Sequence, residues 1–204
     1  MSLSIVRFAD AAVQPWKNGG GVTHELWRVP ASGEFNLRMS IATVASDGPF
    51  SVFPGIDRVL ALLEGNGFGL SGPAGRRTVT LPGQSIEFAG EEEWACALLN
   101  GPVRDFNVMV QRGLSVRVSR IGAGLLPQGD CFVLALVDGI KVSSAWGGDT
   151  LNRYDLGRWA EIAGAAYVAA PEGGALLVEV GGYRATDHAM LSRDKPRRCE
   201  PSSS

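Results

Sequence analysis

Apolar residues fall in short runs along this chain, and Gly, Pro, Asn or Asp closes almost every run. From Phe35 to Val44 they alternate. Phe35, Leu37, Met39 and Ile41 share one face and Asn36, Arg38 and Ser40 the other, which is the period of a half-buried strand. Val59 to Leu63 is apolar throughout, as in a strand covered on both faces. The same signals predict strands over 68–70, 78–81, 86–88, 94–99 and 106–110, then over 115–120, 131–138, 140–143 and 175–180. Short strands at this spacing predict a sandwich or barrel. Only Asp187 to Arg193 has helical character, for one turn or two.

The pattern also repeats. VLALLEG at 59–65 returns as VLALVDG at 133–139, an offset of 74. The same offset carries Gly83 to Gly157 and Glu87 to Glu161. Two copies of one β-unit are expected, joined within 111–125, each suited to a small cupin-type jelly roll. The predicted fold is therefore all-β, a bicupin of two jelly-roll β-barrels. Its divisions are an N-terminal barrel over 1–114, a C-terminal barrel over 115–191 and a flexible tail over 192–204.

Composition narrows the function. The 27 glycines and 11 prolines fit a chain of many turns. A formal net charge of -2 gives no basic face for nucleic acid, and the basic run Lys195 to Arg198 reads as a solvated end. No apolar run approaches the ~20 residues of a membrane span, and Met1 to Asp10 lacks a signal-peptide core, so the cytosol is the expected location. Cys96, Cys131 and Cys199 are widely spaced, and Cys96 and Cys131 read as small core hydrophobes.

Metal and nucleophilic chemistry find little support. His24 and His188 stand in different halves, without a clustered ligand set, so no metal and no cofactor is expected. There is no G-x-S-x-G elbow, and Gly19-Gly20-Gly21 lacks the P-loop order.

Three segments are chemically dense. PWKNGGGVTHE at 15–25 puts Trp16, Lys17 and Asn18 before three glycines. It reads either as a Gly-rich turn with a Trp core plug or as a loop that lets backbone approach a ligand. In 47–58, Asp47 and Arg58 flank a run of turns. Arg58 opens an apolar strand, where it either pairs with Asp57, Glu64 or Asp105 or meets a substrate carboxylate. In 101–112, alternation puts Asp105, Asn107 and Met109 on one face, a pocket wall or an exposed strand face.

Together PWKNGGGVTHEL at 15–26, the stretch 35–70, LPGQSIEFAG at 81–90 and GPVRDFNVMVQR at 101–112 resemble the HutD/Ves family. The likeness covers most of the first half and is loose beyond residue 115. It implies a bicupin with a pocket in the N-terminal half, lined by Trp16, Lys17, Asn18, Arg38, Ser40, Asp47, Arg58, Glu64, Asp105 and Asn107. For HutD members it implies binding of a small anionic metabolite of histidine utilisation, formylglutamate or urocanate, and moderation of that pathway. For Ves members it implies a link to environmental stress.

Three functions follow as expectations: a metabolite-binding protein; a metal-free isomerase or hydrolase using Glu64, Asp105 or Lys17 for proton transfer; and a module acting through a protein partner. Binding ranks first. A homodimer through sheet edges is a further expectation.

Overall fold

The structure is a computed structural model that describes residues 3–145, 147–160 and 165–182. The expectations for Glu161, for the helical turn at 187–193, and for His188, Cys199 and the tail lie outside these residues. Among the described residues the chain is all-β, apart from one 3-10 turn at Phe8–Asp10. The strands, in order, are β1 (Leu3–Val6), β2 (Ala12–Pro15), β3 (Gly21–Val29), β4 (Leu37–Val44), β5 (Gly48–Pro49), β6 (Ile56–Glu64), β7 (Phe68–Gly72), β8 (Gly75–Val79), β9 (Ser85–Ala89) and β10 (Ala95–Leu98). There follow β11 (Val103–Gln111), β12 (Ser115–Ile121), β13 (Gly124–Leu125), β14 (Cys131–Ala135), β15 (Ile140–Ser144), β16 (Gly147–Leu151), β17 (Leu156–Trp159), β18 (Ala166–Ala169) and β19 (Ala175–Gly181).

They pair into four sheets. The first large sheet runs β2-β3-β4-β11-β6-β9 and faces a small sheet β5-β10-β7-β8. The second large sheet runs β1-β17-β14-β19-β12 and faces a small sheet β13-β18-β15-β16. Within these sheets the orders β4-β11-β6-β9 and β12-β19-β14-β17 correspond strand for strand, as do the two small sheets. One eight-strand plan is therefore used twice. The sheets end in open edges, so each unit is a two-layer sandwich and not the closed barrel expected.

Side-chain alternation explains the stacking. Leu37, Met39 and Ile41 of β4, Val59 and Ala61 of β6, and Phe106 and Val108 of β11 face Phe132, Leu134, Leu156 and Val178 of the second large sheet. The opposite faces of the two large sheets close against their own small sheets, giving a first lumen and a second lumen. Because both faces are covered there, the run Val59–Leu63 of β6 and the whole of β14 are apolar. β1 belongs to the second unit: it pairs with β17 from Leu3↔Trp159 to Val6↔Leu156, so residues 3–6 of the expected first division sit on the other unit's sheet.

The backbone fixes how the copies match. Leu62 donates its N–H to the Gln84 carbonyl at 3.0 Å and accepts from Gly83 at 2.7 Å; Ala135 does the same with Asp155 at 3.1 Å and Tyr154 at 2.7 Å. Gly83 and Tyr154 both have positive φ, 83° and 71°. Leu62 thus matches Ala135, and Arg58 matches Cys131, an offset of 73. The offset of 74 read from the repeated words is one residue out. It puts Val59, which faces the inter-unit core, on Val133, which faces the second lumen. A one-residue slip exchanges the faces of a strand, and strands apolar on both faces do not reveal it. Gly83 is matched by Tyr154, not by Gly157.

Candidate functional site

The first lumen holds a cavity of about 490 Å³ on the β3-β4-β11-β6 face. Its floor is built in rows across three strands. Arg38, Met109 and Arg58 are Cα partners in one row, Ser40, Asn107 and Leu60 in the next, and Ala42, Asp105 and Leu62 in the third. The alternation of polar residues on β4 and β11 aims Arg38, Asn107 and Asp105 inward while Ile41, Phe106 and Val108 fill the core behind them.

The turn between β2 and β3 forms one wall. The Gly19 N–H donates to the Trp16 carbonyl at 3.0 Å, and the Gly20 N–H donates to Asn18 Oδ1 at 3.0 Å. Trp16 Nε1 donates to Thr23 Oγ1 at 2.8 Å, fixing the indole at the rim. Gly21 is required here, because a Cβ would collide with the Thr43 carbonyl oxygen and the Trp16 ring. The Gly-rich segment is therefore both a turn and a cavity wall, with Lys17 and Asn18 at the mouth.

Arg58 dominates the interior. It is 5% exposed, and its guanidinium carbon lies 5.5, 5.6 and 4.9 Å from the ring centres of Phe50, Phe53 and Phe88. Nη1 donates to the Ser51 carbonyl at 3.2 Å, Nε has no hydrogen-bond partner, and among the described residues no carboxylate stands within ion-pair distance. Burial lowers its pKa to about 10, with Asp105 opposing the shift and Arg38 adding to it.

Asp105 is 3% exposed and its Oδ1 has no hydrogen-bond partner. Burial raises its pKa to about 7, against the pull of Arg58. Two residues on, Asn107 Oδ1 is likewise buried without a partner. Arg38 is bound at Nε by Glu25 at 2.6 Å, which balances its charge from outside the cavity lining. The lining thus carries Lys17, Arg38 and Arg58 against the single carboxyl of Asp105.

Of the sequence-expected residues, Trp16, Lys17, Asn18, Arg38, Arg58, Asp105 and Asn107 line this cavity. Ser40 is buried on the same face beside Asn107, outside the lining. Asp47 and Glu64 have other roles. Asp47 Oδ1 accepts the Leu98 N–H at 2.8 Å. Glu64 meets Arg104 at 3.5 Å and Arg153 at 2.5 Å, joining the first unit to the second. Its removal from the cavity also removes Glu64 as a proton-transfer group there. Sequence reasoning treated Phe50, Ser51 and Phe53 as turn residues and passed over Gln14 and Thr23, all of which line the cavity. The signal available was two aromatics spaced by three just before a cation in an apolar strand.

His24 lies on the other face of β3, its ring 4.7 Å from Phe8, and burial followed by the nearby Arg104 lowers its pKa. Cys96 and Cys131 pack in the two lumens, and burial pushes both thiols up to about 12. Among the described residues no three His, Cys, Asp or Glu side chains gather as a metal-binding group, and no helix is long and apolar enough to cross a membrane.

The profile of the family described as HutD matches residues 8–178. An uncharacterized 21.2 kDa protein in the hutC 3′ region of Pseudomonas putida is 38% identical over 109 residues, 52% of this chain and 57% of its own length. Protein Ves of Cronobacter sakazakii is 40% identical over 111 residues, 52% of this chain and 61% of its own. The matched stretches thus span less than two thirds of these curated relatives. The solved structure of HutD from Pseudomonas fluorescens SBW25, in a formate condition, is 30% identical, covers 88% of this chain and 98% of that one, and superposes with a TM-score of 0.77.

Proposed function

The chain belongs to the HutD family, and from that premise we propose that it binds a small anionic metabolite in the first lumen, formylglutamate or urocanate, and so moderates histidine utilisation. The observation that carries this reading is Arg58. A buried guanidinium with an unpartnered Nε, opening on a cavity with Lys17 and Arg38, is a site for a carboxylate. The volume suits a small metabolite. Trp16, Phe50 and Phe53 supply apolar walls, and Asn18 and Asn107 offer amides to a formyl or imidazole group. The hutC neighbourhood in the name of the P. putida relative supports the pathway. The same proposal reads the fold as a bicupin: in each unit the strand order 1-8-3-6 facing 2-7-4-5 supports a jelly roll. It also takes the cytoplasm as the place of action.

A thermal-shift screen with formylglutamate, urocanate, histidine, glutamate and simple dicarboxylates tests it. A ligand at a hundredfold excess over Kd stabilises by about 2.7 kcal/mol, a rise of roughly 5–10 °C for a domain of this size. The expected result is such a rise for formylglutamate or urocanate in the wild type and none in Arg58→Met. A flat response to every compound by folded protein, or equal shifts in the variant, contradicts the proposal.

One observation favours a second reading, a metal-free isomerase or hydrolase: a carboxyl near pKa 7 in a cavity wall is suited to proton transfer. Product formation followed by NMR at high protein concentration distinguishes it, and an unchanged substrate after long incubation removes it.

A further inference from the structure

The proposed anion site contains one feature that a positive cavity alone does not call for, the carboxyl of Asp105. It lies on the central strand β11, one row beyond Asn107 and two beyond the row of Arg58. It lines the same cavity, it is almost fully buried, and one of its oxygens has no hydrogen-bond partner. The charge that favours its ionised form is Arg58. An anion arriving at Arg58 takes that charge for itself and adds a second negative charge in a low-dielectric space. Two buried negative charges in the field of one guanidinium do not both stay ionised at low cost, as in coupled acidic groups.

Resting on the anion-binding reading above, we propose that the ligand enters this cavity together with one proton, and that Asp105 is the residue that takes the proton up. The proton comes from solvent onto the carboxyl. The neutral acid then offers an O–H donor in place of a second acceptor, so the occupied site holds one anion against Arg58 and no buried repulsion. Ligand affinity is thereby tied to pH by a residue that need not touch the ligand's carboxylate.

The charged and titratable groups around Asp105 are few. Arg58 of β6, two rows away on the same cavity lining, acts on it through its charge. Arg38 of β4, with its partner Glu25 of β3, closes the far side of the cavity, and Lys17 stands at the mouth. From the small sheet comes the Cys96 thiol of β10, held up at about 12 by burial and by Asp105 and Asp47, and so silent at neutral pH. With its pKa raised to about 7, Asp105 is mostly ionised at pH 8.5 and mostly protonated at pH 5.5 before ligand is added.

Proton exchange on binding is the direct test. Formylglutamate is a suitable probe because it has no group that titrates between pH 5.5 and 8.5; urocanate, with its imidazole, does not serve. Titration calorimetry in two buffers of different ionisation enthalpy reads the protons taken up per ligand. The expected result is close to one proton at pH 8.5 and close to none at pH 5.5, with affinity falling about tenfold per pH unit above 7. In Asp105→Asn, an isostere of the neutral acid, uptake vanishes and Kd no longer depends on pH. The two wild-type titrations stand alone if that variant does not fold. Binding at pH 8.5 without proton uptake overturns the proposal while leaving the anion site intact, and so does uptake that persists in Asp105→Asn. Absence of binding at both pH values overturns the anion site and this proposal together.

Discussion

The two lumens share a strand plan and differ in what fills them. Superposed through the matched hydrogen bonds of Leu62 and Ala135, the row Arg38–Met109–Arg58 falls on Arg117–Glu179–Cys131. Asn107 falls on Leu177, Asp105 on Ala175 and Phe88 on Trp159. In the second lumen Cys131, Val133, Leu177, Ala175 and Trp159 meet Ile140, Val142, Leu151 and Val168 in one apolar cluster. Three substitutions of polar by apolar, Arg58 to Cys131, Asn107 to Leu177 and Asp105 to Ala175, accompany the change from a polar-walled cavity to a packed core. The lesson concerns roles within a duplicated fold. One copy stabilises the chain by burial, and the other carries a polar floor backed by the shared inter-unit core. The polar lumen tolerates its buried charges because Arg58 is stacked by three rings and because Asp105 holds a proton close to neutral pH.

The strongest way to break this contrast is to write the first lumen into the second. Ala175→Asp places a carboxyl where the matched position of Arg58 is Cys131, so the charge is buried without a guanidinium. A loss of about 5 kcal/mol, seen in chemical denaturation at pH 8, is expected. A loss under 1 kcal/mol shows that the second lumen admits charge and that the contrast is wrong.

The reciprocal change sharpens it. Asp105→Asn removes a group whose native pKa, about 7, lies above the ordinary carboxyl value of 3.8. Between those values the native state holds a proton that the unfolded chain releases, so wild-type stability falls as pH rises from about 4 to about 7 and then levels. The variant lacks that fall. Its advantage over the wild type grows across the window to as much as about 4 kcal/mol at pH 8, an upper bound set by the shift. Denaturation at pH 4.5 and pH 8 checks it, and equal stability differences at the two pH values contradict it.

Trp16→Ala removes a rim wall and the Nε1 hydrogen bond to Thr23. Ligand affinity is expected to weaken about tenfold, near 1.4 kcal/mol, with a change in stability of about 1 kcal/mol, read by calorimetry and melting. Smallest is Asp47→Ala, which loses a single exposed hydrogen bond to the Leu98 N–H. It is expected to cost about 0.5–1 kcal/mol of stability and to leave ligand affinity unchanged. A large loss of affinity there returns Asp47 to the site.

Alternation was enough to read which polar residues share a strand face, but not that this face lines a cavity. Asp105, Asn107 and Met109, and Arg38 with Ser40, share faces because a strand turns every second side chain the same way, and that period is local. The all-β class was legible for the same reason. What escaped the sequence is non-local. Of the rings that stack on Arg58, Phe50 and Phe53 stand just before it in the chain, but Phe88 is brought to it from β9 by strand pairing, and nothing in the sequence links that ring to the cation. Asp47 and Glu64 look like pocket residues until their partners Leu98 and Arg153 are placed beside them by folding. The repeated word identified the right strands but the wrong register, since Val59–Leu63 of β6 and Cys131–Ala135 of β14 are apolar on both faces. The crossing of β1 to the second unit leaves no trace in a four-residue edge strand.

The central claim is that the two lumens differ in kind and that the first is the anion site. A crystal structure of the protein soaked with formylglutamate tests it most directly. The account predicts the ligand in the first lumen, a carboxylate on the Arg58 guanidinium and its formyl amide beside Asn107, with the second lumen unchanged. Ligand seated in the second lumen or on the outer surface, with the Arg58 cavity empty in well-ordered crystals, would contradict it.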